Sequence, residues 1–198
     1  MILLSKISYK LYIIKLCIFY SPFFFIIHTH RNSSLLKRER KIWIKEILNS
    51  EEDNVENFLA LLSLREYRTV FYFRTNHEKS FLLNLLYPGE QTAHIRIESD
   101  KVKEGFILQH GHSTRVNAKS IGEKCQIWHN VTVGTNKSHS GNLPTIGNNV
   151  KICTGSIVIG DIKIGNNVII GAGSIVVKDV PDNCVIVGNP AHIIKYLK

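Results

Sequence analysis

A six-residue period in the second half of the chain restricts its fold more than any other feature of the sequence. Residues 146–163 match residues 164–181 at 11 of 18 positions, so three hexapeptides form one repeat. A hexapeptide supplies one short strand and one corner, and three of them close a triangular coil that is stable only when other coils stack on it. The period therefore predicts a parallel β-helix, a mainly β fold. Its inward-facing aliphatic residues recur at positions 121, 127, 133, 146, 152, 158, 164, 170 and 176.

The period is interrupted between Val133 and Ile146, which are 13 residues apart. Residues 135–145 are mostly polar and include Gly141 and Pro144, so we expect them to leave the β-helix as a loop. Loops that are held by a rigid scaffold often carry function. This loop is therefore a candidate region for contacts with a substrate.

The first half of the chain follows a different pattern. Between residues 37 and 86, apolar residues recur with the three- and four-residue spacing of amphipathic helices. The sequence YPGEQT at residues 87–92 is typical of turns and ends this region. We therefore expect an N-terminal segment at residues 1–36, an α-helical region at residues 37–92 and the β-helix at residues 93–198.

The N-terminal segment is apolar and basic. Residues 11–27 are apolar apart from Lys15, and the longest uncharged run within them, Leu16 to Ile27, has 12 residues. A membrane-spanning helix needs roughly 20. An anchor that lies on a membrane surface fits residues 1–36 better. A spanning helix, whose flanking cations would keep the following domain cytoplasmic, and a segment unrelated to membranes remain alternatives.

The composition narrows the classes of partner. The net charge of +9 favours an anionic partner, but the cations of the β-helix region are scattered singly, so we expect no nucleic acid and either a phosphate-bearing coenzyme or an ordinary solvated basic surface. The four cysteines lie far apart without a CxxC pair, which indicates neither a disulfide framework nor a metal site. This cysteine usage favours a reducing compartment, so we expect a cytoplasmic protein, held at the inner face of the membrane if residues 1–36 anchor it.

The sequence ILQHGHSTRV at residues 107–116 places His110 and His112 two residues apart. The pair could be a metal clasp, a catalytic base with its neighbour, or two ordinary strand residues. A metal clasp would need further ligands, and no nearby cysteine or acid completes a set. Histidine is the residue type best poised near pH 7 to take a proton from a hydroxyl group. On a strand, His112 would face the same side as His110 and could contact a substrate.

Several motifs together resemble one family. The hexapeptides, the interrupting loop, the LQHG histidine one coil before it and the ending VIVGNPAHIIK are similar to the left-handed β-helix acyltransferases, especially their serine acetyltransferase branch. The resemblance covers residues 107–195 closely and the helical region only in general layout. It implies coils of left-handed winding, acetyl-CoA as the acyl donor, and a homotrimer with active sites between chains.

The resemblance also implies roles for individual residues. His110 falls on the catalytic histidine, which activates the acceptor hydroxyl and then protonates the leaving thiolate. Backbone N–H groups near Gly134 are expected to stabilise the oxyanion formed from the thioester. Thr154 and Ala172 fall where the backbone meets the pantetheine arm of the coenzyme. Lys178 is a candidate contact for the coenzyme phosphates, with a solvated corner as the alternative role.

The chain departs from the serine-specific pattern at the acceptor site. Gln109 replaces an aspartate, and Asn142 and Leu143 replace an Arg-His pair that grips a carboxylate. Ile95 stands where an acid that orients the histidine is expected, which leaves Glu98, Asp100 or Glu104 as substitutes.

These departures favour a neutral acceptor that is bound by amides and hydroxyls, which Gln109, Asn136, Ser138, Ser140 and Asn142 offer. We therefore expect an O-acetyltransferase acting on a sugar of a surface polysaccharide or its precursor. A serine O-acetyltransferase of cysteine biosynthesis is the alternative, and a non-catalytic trimeric scaffold is a third interpretation, against which His110 argues. The expected acceptor contacts are Gln109, His112, His139 and Asn142.

Overall fold

The structure is a computed structural model that describes residues 2–76, 83, 85–135 and 142–197, with side chains from residue 9 onward. The α3 helix begins at Ser33, so the boundary expected after residue 36 falls inside a helix. Asn54 precedes α4 and accepts a hydrogen bond from the backbone N–H of Asn57, which satisfies one of the free amides at the start of the helix. The helices are α1 (Ile2–Phe19), α2 (Ser21–Thr29), α3 (Ser33–Leu48), α4 (Val55–Ser63) and α5 (Arg65–Thr75).

Short strands follow from residue 94 and form three sheets. The sheet orders are β1-β3-β6-β9-β12, β4-β7-β10 and β2-β5-β8-β11-β13-β14, and neighbouring strands are parallel except for the antiparallel pair β13 and β14. This arrangement is the predicted parallel β-helix. The strands are β1 (His94–Ile95), β2 (Ile107–Gln109), β3 (Arg115–Val116), β4 (Ser120–Ile121), β5 (Gln126–Trp128), β6 (Thr132–Gly134), β7 (Thr145–Ile146), β8 (Lys151–Ile152), β9 (Ile157–Ile159), β10 (Lys163–Ile164), β11 (Val168–Ile170), β12 (Ile175–Val176), β13 (Cys184–Gly188) and β14 (Ala191–Tyr196).

The predicted inward-facing positions form the core of the β-helix. Along one sheet, Leu108, Ile127, Ile152, Ile170 and Ile186 pair in register from coil to coil, and each is at most 2% exposed. Each aliphatic side chain therefore packs on its counterparts in the coils above and below. This stacking explains why a single coil is not stable alone.

The Gly-Asn-Asn sequences form corners, as predicted. Asn149, Asn167 and Asn183 adopt left-handed φ angles of 54°, 54° and 56°. The Nδ2 group of Asn149 donates to Oδ1 of Asn167 at 2.9 Å, and Asn167 donates in the same way to Asn183 at 2.8 Å. At Gly147 a Cβ atom would lie 2.6 Å from the carbonyl oxygen of Gly165, so the close approach of coils excludes a side chain there.

A buried ion pair joins the helical region to the first coil. The Arg74 guanidinium on α5 donates to both carboxylate oxygens of Glu39 on α3, at 2.7 and 3.1 Å, and the two side chains are 0% and 3% exposed. Glu39 also accepts from the backbone N–H of Phe106, and Trp43 donates to the carbonyl oxygen of Phe106. We call Glu39, Trp43, Arg74 and Phe106 the junction cluster. It fixes the chain four residues before His110.

Candidate active site

His110 lies at an exposed corner of the β-helix. Strand β2 ends at Gln109, and His110 follows with a left-handed φ angle of 53°. A left-handed backbone is uncommon for a residue other than glycine or asparagine, and strain of this kind clusters at functional sites. The corner turns the imidazole out of the strand into solvent, where a substrate can reach it. The same left-handed conformation occurs at other corners, among them Lys124 and Asn149, so it belongs to the geometry of the corner and leaves the imidazole accessible.

Three imidazoles meet at this corner. The rings of His112 and His129 stack with centroids 4.6 Å apart and planes 18° apart, and the ring of His110 lies 6.3 Å from that of His129. Burial, together with the nearby His112 and His110, lowers the pKa of His129 below its ordinary value. The lowered pKa favours the neutral form of His129.

His129 was not among the residues predicted for the site. Gln109 pairs with Trp128 in the register of β2 and β5, and this pairing brings the residues that follow, His110 and His129, to neighbouring coils at the same corner. The signal was present in the repeat, because residues one coil apart stack. The Nδ1 atom of His129 is buried and has no hydrogen-bond partner among the described residues.

A carboxylate reaches the corner from the turn before β1. The Glu90 side chain accepts hydrogen bonds from the hydroxyl and backbone N–H of Thr92, which lower its pKa, and His112 is near enough to lower it further. The Thr92 hydroxyl in turn accepts from the backbone N–H of Ser113 at 2.9 Å. Glu90 also lines a cavity of about 270 Å³ next to α5. Glu90 thus acts electrostatically on His112, although more weakly than on Arg65, and supplies a carboxylate in the region where Gln109 is neutral.

The acids proposed to orient His110 have other partners. Glu98 forms an ion pair with Lys101, and Glu104 forms one with Arg38. Asp100 lies in a 3-10 turn and is exposed, and Ile95 occupies β1 as the sequence indicated. This geometry does not support the expectation that Glu98 or Glu104 orients His110, because each carboxylate pairs with a cation instead.

The residues expected to meet the coenzyme lie along one column of corners. The backbone N–H of Gly155 donates to the carbonyl of His129, and that of Gly173 donates to the carbonyl of Thr154. Thr154 and Ala172 therefore continue the corner that carries His129, one and two coils further along. A narrow molecule that runs parallel to the β-helix axis could contact all three.

Gly134 and Lys178 lie at two further points of the β-helix. Gly134 ends β6, and a Cβ atom built there would meet nothing within 4 Å among the described residues, so the space beside its backbone is open. Lys178 is exposed and lines a small cavity of about 120 Å³ together with Pro190 and His192. Both positions leave room for a ligand.

The interrupting loop is only partly described. His139 lies outside the described residues, and Asn142 and Leu143, which are half-buried, rejoin the coil ahead of β7. Among the residues that the structure describes, no three His, Cys, Asp or Glu side chains are placed to hold a metal ion.

Comparisons with known proteins identify the fold and the family of repeats. The bacterial transferase hexapeptide family, defined by six repeats, matches residues 144–178. A serine acetyltransferase from Staphylococcus epidermidis is 40% identical over 102 residues, which cover 48% of this chain and 46% of the relative. A serine acetyltransferase from Synechococcus elongatus is 41% identical over 96 residues, covering 48% of this chain and 39% of the relative. The match thus spans less than half the length of these curated relatives.

Solved structures extend the likeness to the helical region. A serine acetyltransferase from Neisseria gonorrhoeae in complex with serine is 26% identical, with a TM-score of 0.62, over 82% of this chain and 69% of the other. A serine acetyltransferase from Brucella abortus has a TM-score of 0.68 over 91% of this chain and 76% of the other, at 24% identity, which is a likeness of fold. The fold is thus the left-handed β-helix of hexapeptide repeats, preceded by helices, as the motifs implied.

The comparisons overturn the expected sugar acceptor. The relatives and structural neighbours named above are serine acetyltransferases, and nothing among them points to a polysaccharide. The expectation was wrong because it located the charges for an acceptor only at the positions of Gln109, Asn142 and Leu143. Glu90 and the imidazoles of His112 and His129 bring ionisable groups to the same corner from other parts of the sequence.

Proposed function

We propose that this chain, a left-handed β-helix protein of the hexapeptide-repeat acyltransferases, transfers the acetyl group of acetyl-CoA to the hydroxyl of L-serine. The observation that carries the proposal is its 40% identity over 102 residues to a serine acetyltransferase. The site supports it, because His110 is exposed at a strained corner beside two further imidazoles.

His110 acts as the general base. Its neutral imidazole takes the proton of the serine hydroxyl while the oxygen attacks the thioester carbonyl. In the proposed trimer, the resulting tetrahedral oxyanion accepts hydrogen bonds from backbone N–H groups near Gly134 of a neighbouring chain, because Gly134 of the same chain lies beyond β3 from His110. As the intermediate collapses, the C–S bond breaks and the imidazolium gives its proton to the thiolate. The products are O-acetylserine and free coenzyme A.

Glu90 and the stacked imidazoles recognise the two charges of the amino acid. The Glu90 carboxylate pairs with the serine ammonium group, because it is ionised and lies beside His112. The N–H groups of His112 and His129 donate to the serine carboxylate. Charge-assisted hydrogen bonds of this kind are stronger than those to a neutral acceptor, so they favour an amino acid over a polyol.

Acetyl-CoA lies along the column of corners that leads away from the histidines. The backbone at Thr154 and Ala172 contacts the pantetheine arm, and Lys178 faces the phosphates as an exposed cation. His110 is exposed on a single chain, which leaves one side of the site open. A homotrimer closes that side with a neighbouring β-helix, and light scattering of the active enzyme should give three times the mass of one chain.

The test is coenzyme A release from acetyl-CoA by the full chain, with L-serine as acceptor and with D-serine, L-threonine and neutral polyols as comparison acceptors. The proposal expects saturable release that depends on L-serine. His110→Asn should remove it, while Lys124→Gln, an exposed cation at the corner between β4 and β5, should not. If none of the acceptors gives saturable release of coenzyme A, the chain is instead a scaffold that does not catalyse acyl transfer.

A further inference from the structure

The first 38 residues contain six cations and no acid. Glu39, the first acidic residue of the chain, is the buried partner of Arg74 and adds no negative charge to the surface. The charged side chains of α1 are therefore all positive, and the acid beside this helix is Glu56 of α4, which hydrogen-bonds Tyr9. The cations are Lys6, Lys10, Lys15, Arg31, Lys37 and Arg38.

One face of α1 is apolar and exposed. Leu11, Ile14 and Ile18 are 62%, 54% and 70% exposed, and their spacing of three and four residues puts them on one stripe of the helix. At 3.6 residues per turn, the exposed Lys10 and Lys15 fall on opposite sides of this stripe. We call Leu11, Ile14 and Ile18 the α1 stripe. An apolar stripe flanked by lysines is the pattern of a helix that lies in a membrane interface.

The next helix is fixed in the protein by its opposite face. Phe23 and Ile27 are fully buried, and the Phe23 ring packs against Phe71 at 5.2 Å and Tyr87 at 5.6 Å. Tyr87 also donates a hydrogen bond to the carbonyl of Phe19 at the end of α1. Phe25, on the outer face of α2, is 69% exposed. The protein core thus holds α2, while the outer faces of α1 and α2 are exposed.

Length and composition alone would let the two helices cross a membrane together. Among the described residues, no single helix is long and apolar enough to span, but Tyr9–Phe19 and Ser21–Thr29 pass as a pair that is bent by 57°. Spanning would require Phe23 and Ile27 to leave the protein core, where both are fully buried. Lying along the surface requires no such rearrangement.

We infer that the α1 stripe docks on an anionic lipid surface, with α1 lying along the surface and α2 held in the protein. Charge decides between lipid and a second copy of the chain. A two-fold contact between two α1 stripes would bring Lys10 and Lys15 of both copies together, because the acid beside α1, Glu56, bonds Tyr9 on the side of the helix opposite the stripe. Anionic headgroups neutralise these cations while the acyl chains take up the apolar side chains. The inference is independent of the acceptor and of catalysis.

The test is co-sedimentation of the full chain with phosphatidylglycerol vesicles and with phosphatidylcholine vesicles. We expect binding to the anionic vesicles, and a loss of about tenfold or more when the three stripe residues are changed to serine, because binding scales with buried apolar area. A matched control removes three equally exposed apolar side chains that share no stripe and should bind like the wild type. These changes are Val55→Ser, Leu85→Ser and Ile194→Ser.

A charge variant covers the case in which the stripe variant does not fold. Lys10→Glu with Lys15→Glu changes only exposed side chains and should abolish the preference for phosphatidylglycerol. Sodium carbonate extraction should release the bound protein, whereas retention would overturn the surface-lying arrangement in favour of a span. Equal binding by the stripe variant and the scattered control would also overturn the inference. Absence of vesicle binding by the wild-type protein would overturn it too. If, in that case, the stripe variant without lipid has a lower mass than the wild type, the α1 stripe is a contact between copies of the chain.

Discussion

Replacing Arg74 with methionine should destabilise the protein far more than replacing Arg38, although both side chains pair with an acid and tie the helical region to the same stretch of chain. Arg74 and Glu39 are 0% and 3% exposed, whereas Arg38 and Glu104 are 54% and 31% exposed. Removing one partner of a buried pair costs about 3–5 kcal/mol, because the other charge is left without compensation. An exposed pair contributes about 0.2–1 kcal/mol.

The contacts of Arg74 place the expected cost in the upper part of that range. Its guanidinium also donates to the backbone carbonyls of Ser99, Val102 and Lys103, at 2.9, 2.6 and 2.6 Å. Methionine fills the space but donates no hydrogen bonds, so these carbonyls lose a donor together with the carboxylate. We expect a loss of about 4 kcal/mol or more in the free energy of unfolding for Arg74→Met. For Arg38→Met we expect about 1 kcal/mol or less.

Urea unfolding followed by the fluorescence of Trp43 would measure this difference at the junction cluster itself. The chain has two tryptophans, so a Trp128→Phe background makes Trp43 the single reporter. The Arg74→Met variant should also recover stability as the pH falls. Burial raises the pKa of Glu39 above its ordinary value of 4.5, and the variant lacks the cation that opposes this shift. Between the ordinary and the raised pKa the folded state binds the extra proton, so stability falls as the pH rises through this window.

The result that would refute this reasoning is a loss of similar size for Arg74→Met and Arg38→Met. A loss below about 1 kcal/mol for Arg74→Met would refute it as well, because the ion pair would then behave as an exposed one. If the loss of unfolding free energy in Arg74→Met does not change with pH, Arg74 stabilises the protein by packing and the charge argument is wrong.

Three further predictions concern the β-helix and the site. Gly147→Ala should lower the melting temperature, because its Cβ would lie 2.6 Å from the carbonyl oxygen of Gly165. Gly134→Ala should leave the melting temperature unchanged, because its Cβ points into open space, and should raise the KM for acetyl-CoA. Glu90→Gln should raise the KM for L-serine about tenfold or more and leave that for acetyl-CoA unchanged, since one charged contact is worth about 1.5–3 kcal/mol; equal changes in both constants would indicate a structural role. His129→Gln should raise the KM for L-serine more than it lowers kcat, a split that steady-state kinetics resolves.

The repeats could be predicted from sequence because their information is local. Each hexapeptide contains its own strand, inward-facing residue and corner, so the stacking of Ile127 on Ile152 and the corners at Asn149 and Asn167 could be predicted directly. The junction cluster could not be found in this way. Glu39 and Arg74 are 35 residues apart and belong to helices whose packing no period specifies.

His110 was selected from the sequence, but it was treated as a strand residue, and its neighbours at the corner were only partly found. His129 could have been identified by following the coil register one turn beyond His110. Glu90 could not, because it connects to the backbone of Ser113 through Thr92, in a turn that lies before the first coil. The wrong acceptor followed from this gap, since charges were sought only at positions that match a motif.

The measurement that most directly tests the central claim is the formation of acetylserine from acetyl-CoA labelled with ¹³C in the acetyl group. The full chain is incubated with L-serine, and the product is identified by NMR and followed over time. The account predicts that the label appears on the serine oxygen, and that His110→Asn lowers the turnover by about 10²- to 10⁴-fold while the variant keeps its fold. Near wild-type turnover in a folded His110→Asn variant, or no label on serine with the wild-type protein, would contradict it.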